Sequence, residues 1–133
     1  MKREWQTAVE RGDAAALTAL LAQGEDVDSL DRYCQTALML AARSGHDEAV
    51  GVLVSHGANL DHAAKYSLTA LMLAAINDRV EVVRLLIAAG ANQDLQGSGA
   101  PGFAGKTALD LARDLGRDII ANLLKPEEDG CLG

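Results

Sequence analysis

The stretch Ala100–Thr107, APGFAGKT, holds the residues best placed to do chemistry. It fits a relaxed phosphate-loop pattern, with Ala at the first Gly position and Gly105-Lys106-Thr107 at the end. In such a loop backbone N–H groups cradle phosphate and the lysine neutralises it. The chemistry also needs a buried strand just ahead and an acidic Mg²⁺ ligand at the end of another strand. The residues ahead, GANQDLQ, read as a loop, so neither requirement is met. Gly97-Ser-Gly99-Ala-Pro-Gly102 fits a lone G-x-G-x-x-G, but without strand–helix context it reads as a flexible insertion. His46, His56 and His62 show no convergent metal-ligand set, and Ser55-His56 are neighbours in sequence only. Cys34 and Cys131 lie far apart and match no zinc spacing; free thiols are expected. No catalytic residue, cofactor or metal is assigned, and the chain is expected not to be an enzyme. A nucleotide-binding or enzymatic role at Gly105-Lys106-Thr107 stands as the alternative.

The elements that must position any site are built from a narrow set of residues. The chain has 133 residues, 49% hydrophobic but only 3% aromatic, so its core must be Leu, Ala, Val and Ile. That composition suits small helices packed closely together. A net charge of −7 argues against nucleic acid or an anionic membrane as the main partner. The opening MKREWQTAVERGD has no apolar run for a signal peptide, and no stretch approaches a span of roughly 20 apolar residues. The ending Cys131-Leu132-Gly133 is too short for a prenylation box. A soluble intracellular protein is expected, cytoplasmic and also nuclear, and monomeric.

Internal repetition organises the chain. TALMLAA at Thr36–Ala42 recurs letter for letter at Thr69–Ala75, an offset of 33. TALDLAR begins at Thr107, an offset of 38, so five residues are inserted before it. GEDVD, GANLD and GANQD begin at Gly24, Gly57 and Gly90, again 33 apart. Each threonine stands just before an apolar-periodic segment, where its oxygen can cap a helix. Second helices are predicted near 47–55, 80–88 and 118–124, with Gly24, Gly57 and Gly90 placed to end the helices before them. Carboxylates that recur at loop positions, such as Asp28, Asp61 and Asp94, suit turn and cap hydrogen bonding.

This pattern resembles the ankyrin repeat. The second repeat carries Asp31, Thr36, Leu38, Ala41, Ala42, Gly45 and His46; the third carries Thr69, Leu71, Ala74, Ala75, Gly90 and Ala91. The fourth carries Gly105, Thr107, Leu109, Ala112 and Gly116. The first lacks the threonine motif but keeps Trp5, Ala8, Gly12, Leu20, Leu21 and Gly24 in register. The consensus Pro is Ala37, Ala70 and Ala108, the consensus His is Met39, Met72 and Asp110, and the early Gly is Cys34 and Ser67. The resemblance implies an all-α solenoid of stacked helix–turn–helix units with β-turn fingers. A single domain is expected over 1–125, with repeats at about 1–30, 31–63, 64–96 and 102–125. An inserted loop covers 97–101 and a disordered tail 126–133. Its glycines and Pro101 predict a mobile loop over 97–104, whose shortening by five residues leaves stability nearly unchanged.

The resemblance also implies a protein-binding module, an adaptor, scaffold or inhibitor. Fingers and first helices would line its concave groove. By register, the partner-binding positions are Arg32, Tyr33, Gln35, Arg43, Lys65, Tyr66, Leu68, Ile76, Asn77 and Phe103. Tyr33 and Tyr66, one period apart, are candidate anchors. The wider groove set holds five basic residues (Arg32, Arg43, Lys65, Lys106, Arg113) against Asp31 and Asp114, which predicts a partner with an acidic segment.

Overall fold

The computed structural model describes residues 2–124, so the expected tail over 126–133 lies outside the described residues. Eight α-helices follow in order among them: α1 (Arg3–Arg11), α2 (Ala14–Ala22), α3 (Ala37–Ser44), α4 (Asp47–Ser55), α5 (Ala70–Ile76), α6 (Val80–Ala88), α7 (Ala108–Asp114) and α8 (Asp118–Leu123). They pair as four helix–turn–helix units. The first helices α1, α3, α5 and α7 pack side by side in one layer, and α2, α4, α6 and α8 form the second. The fold is an all-α repeat solenoid.

The threonine motif explains where the first helices begin. Thr36, Thr69 and Thr107 have extended backbones, and their side chains accept N–H bonds from Met39, Met72 and Asp110 at 3.2, 3.3 and 3.2 Å. Thr36 and Thr69 are buried, so water does not compete for these bonds. In α7 the Asp110 carboxylate also accepts from the Thr107 N–H, which closes a capping box. That is why an acid tolerates the position where Met39 and Met72 are buried. Helix α1, without the threonine, starts at Arg3 after Lys2, which supplies no side-chain cap.

The second helices end where the glycines stand. Gly24, Gly57 and Gly90 take φ of 98°, 80° and 94°, the left-handed region that stops a helix without a Cβ penalty. Fully buried Ala41, Ala42, Ala74, Ala75 and Ala112 let adjacent first helices approach closely. Around them, one continuous core runs from Trp5 and Val9 through Leu38, Leu53, Leu71 and Leu86 to Ile120.

Polar side chains tie each unit to the next. The Asp28 carboxylate accepts from Asn59 N–H at 2.8 Å, and Asp61 accepts from Asn92 N–H at 2.9 Å. The sequence predicts turn and cap bonds for these carboxylates; Asp28 and Asp61 instead reach the next repeat, while Asp26, Asn59 and Asn92 accept the local turn bonds. At the opposite end, three side chains contact the last turn of the preceding first helix. His46 Nε2 lies 3.1 Å from the Glu10 carbonyl oxygen. Arg79 Nε donates to Arg43 O at 3.1 Å, and Arg117 Nη2 donates to Ile76 O at 3.0 Å. The acceptors Glu10, Arg43 and Ile76 are one period apart, so this is a repeated fastening.

The fingers are tight turns. In the first, Cys34 N–H donates to Asp31 O and Asp31 N–H to Gln35 O, at 3.1 and 3.0 Å. The Asp31 carboxylate accepts from both Tyr33 and Gln35 N–H. Cys34 (φ 62°) and Ser67 (φ 56°) stand at the consensus glycine position, and both hold the left-handed backbone that glycine favours.

Candidate functional site

Two cavities open where the fingers face the first helices. The first encloses about 490 Å³. Gln6 and Glu10 reach it from α1, Leu40, Arg43 and Ser44 from α3, and Asp31, Tyr33 and Gln35 from the finger. The second, about 140 Å³, is lined by Met39 and Arg43 from α3, Leu73 from α5, and Gln35, Ala64, Lys65, Tyr66 and Leu68 from the two fingers. Gln35 and Arg43 border both, so the cavities are neighbours along one groove.

The groove collects part of the sequence-derived set. Tyr33, Gln35, Arg43, Lys65, Tyr66 and the largely buried Leu68 line it, with Tyr33 65% and Tyr66 36% exposed. Each tyrosine ring has a cation over it: the Arg32 guanidinium at 5.8 Å and the Lys65 ammonium at 5.0 Å. Arg32 itself lines neither cavity.

Four positions differ from the expectation of open groove anchors. Leu68 is 8% exposed; after the turn at Lys65–Ser67 the chain becomes extended and points this side chain into the core. Ile76 packs against the core, and the Asn77 side chain donates to Leu73 O at 2.8 Å; neither lines these two cavities. Phe103 stacks on Tyr66, with ring centroids 5.4 Å apart, and buttresses that tyrosine from the side.

The expected mobile insertion is likewise tied down. Ser98 N–H donates to Tyr66 O at 2.7 Å, and the Ser67 and Ser98 hydroxyls are 2.7 Å apart. Gly97 N–H donates to Lys106 O and Gly105 N–H to Gly97 O, at 2.9 and 3.0 Å. A Cβ at Gly99 would lie 3.2 Å from the Tyr66 ring. The insert thus packs on the second finger, at Tyr66 and Ser67, because its polar backbone finds partners there.

Sequence reasoning missed Gln6, Glu10, Leu40 and Leu73. Glu10 was legible in principle, being one period before Arg43. The incomplete motif of the first repeat hid that register. With Glu10 present, the first cavity holds two carboxylates against one guanidinium, which changes the charge read from the sequence. Lys106 also leaves the tally of free cations, since its ammonium pairs with the Asp114 carboxylate.

That pair bears on the phosphate-loop alternative. The N–H groups of Phe103, Ala104, Gly105 and Lys106 donate to carbonyls of Ala100, Ala100, Gly97 and Phe103. The Thr107 hydroxyl caps α7. The groups that would cradle a phosphate are thus engaged within the loop and its helix. Among the described residues no cluster of three or more His, Cys, Asp and Glu is placed to hold a metal. Nor is any helix there long and apolar enough to cross a membrane.

The family described as "Ankyrin repeats (3 copies)" matches residues 5–97 and again 68–131. The chain belongs to the ankyrin-repeat family. A search of curated proteins returns no match. Ankyrin repeats are generally protein–protein interaction modules and typically non-enzymatic. In this ankyrin-repeat chain the exposed rings of Tyr33 and Tyr66 and two cavities coincide along the finger–helix groove.

Proposed function

We propose that this ankyrin-repeat chain is a binding module, an adaptor, scaffold or inhibitor, that holds a segment of a partner protein in its groove. One observation carries the reading: two adjoining cavities share Gln35 and Arg43 and are flanked by Tyr33 and Tyr66. Tyrosine supplies a large contact area for two rotatable bonds, and such residues anchor interfaces. The Tyr66 ring is already held in place by Phe103, so ordering it on binding costs little. Arg32, Arg43 and Lys65 steer an acidic part of the partner to the groove over the two middle repeats.

Affinity capture from cells, with partners identified by mass spectrometry, tests this. Wild type and a Tyr33→Ala/Tyr66→Ala double variant are compared. Partners lost with the double variant support the groove. Partners retained by it place the site elsewhere.

A further inference from the structure

The groove changes its electrostatic character along its length, and this says more about the partner. In the first cavity Glu10 and Asp31 face the single cation Arg43. The Glu10 side chain accepts one bond, from Gln6 at 3.1 Å, and the Asp31 Oδ1 atom takes two backbone N–H groups. Neither carboxylate is in an ion pair among the described residues. The Gln35 Oε1 atom, on the wall between the cavities, is buried with no hydrogen-bond partner. A small rotation of its side chain offers a further acceptor to an occupant, which recovers the cost of a lone buried acceptor. The second cavity is different. Lys65 and Arg43 are its charged residues, no carboxylate lines it, and Met39, Leu68 and Leu73 supply apolar wall.

We infer that the groove reads a dipolar linear segment: a Lys or Arg side chain in the first cavity and an Asp or Glu in the second. This rests on the groove reading above and adds a basic residue to the acidic one proposed there. The basic side chain lays its apolar stem against Leu40 and the Tyr33 ring while its charged head meets Glu10 and Asp31. The acidic residue meets Lys65 and Arg43. The cavities lie between successive first helices, α1–α3 and α3–α5, and packed helices sit about 8–10 Å apart. An extended chain advancing about 3.3 Å per residue covers that in about three residues. The recognised pattern is therefore a basic and an acidic residue about three positions apart. A uniformly acidic segment puts like charge against Glu10 and binds less well.

A phage library of randomised linear peptides, selected on the whole chain, tests this. The expected outcome is enrichment of peptides with Lys or Arg about three positions from Asp or Glu. Glu10→Lys should weaken these peptides about tenfold, and a peptide with its basic residue changed to Glu should recover binding to that variant. Lys65→Glu should give the reciprocal pattern at the acidic residue. Glu10 and Lys65 are exposed, and circular dichroism checks that the helices persist. If enriched peptides lose binding with Tyr33→Ala or Tyr66→Ala but ignore Glu10→Lys and show no charge pairing, the dipolar inference is wrong and the groove reading stands. If no peptide is enriched, or binding ignores the tyrosines as well, both are wrong.

Discussion

Gly12 and Gly116 form a matched pair for weighing the fastening between repeats. Each follows the first helix of an end unit, and their φ values are 66° and 72°. An added Cβ forces a left-handed L-residue at both, at about 1–2 kcal/mol. The surroundings differ. At Gly12 the Cβ meets the His46 ring at 2.5 and 2.6 Å and its Cβ at 3.0 Å, whereas at Gly116 nothing lies within 4 Å. Gly12→Ala therefore displaces His46 and loses its contact with the Glu10 carbonyl, worth about 0.5–1.5 kcal/mol more. Gly12→Ala is expected to be less stable than Gly116→Ala by about 1 kcal/mol, a difference near 3–5 °C in melting temperature. Urea unfolding read by circular dichroism measures both. Trp5, the single tryptophan and fully buried on α1, reports on the first repeat by fluorescence. A cycle with His46→Ala should show non-additivity with Gly12→Ala. Equal losses for the two alanine variants, or additive effects in the cycle, would refute the idea that His46 fastens the first repeat to the second.

Three other outcomes follow from the same geometry. Removing five residues from 97–104 is expected to cost more than about 2 kcal/mol, because it breaks the Ser98–Tyr66 and Ser67–Ser98 bonds and unseats Phe103 from Tyr66; unchanged stability in urea would contradict that packing. Cys34→Gly is expected to stabilise the chain by about 0.5–1 kcal/mol, since relief of the left-handed Cβ outweighs the added freedom of the unfolded chain; a lower melting midpoint would contradict it. Calorimetric titration with ATP or GTP should show no saturable heat, and saturable binding abolished by Lys106→Ala would reinstate the phosphate-loop alternative.

Much of the fold was legible because it is locally encoded. A threonine ahead of an apolar run marks a helix start through its own side-chain bond, and a glycine after one marks the end through its backbone. The second helices at Asp47–Ser55, Val80–Ala88 and Asp118–Leu123 follow the apolar spacing closely. The groove was less legible. Leu68 looked like a finger residue, but the non-glycine turn at Tyr66 and Ser67 sets the direction of the chain after it, and sequence spacing does not encode that direction. Glu10 was hidden by a repeat that has lost its threonine. The insert was read through the freedom of its glycines alone, whereas its position depends on Tyr66 and Ser67, some thirty residues earlier. Tyr33 and Tyr66 are equivalent by number, yet only Tyr66 has positive φ and an aromatic neighbour, so they present their rings differently.

The central claim is that the groove, and not the opposite face, holds the partner. The most direct measurement is the affinity of a captured partner for wild type, Tyr66→Ala, and an Asp47→Lys/Glu81→Lys variant altered at the starts of α4 and α6. Tyr66→Ala is expected to weaken binding by about 1–3 kcal/mol while the second-helix variant binds as wild type does. Normal binding by Tyr66→Ala together with loss in the Asp47/Glu81 variant would contradict it and place the partner on the second-helix face.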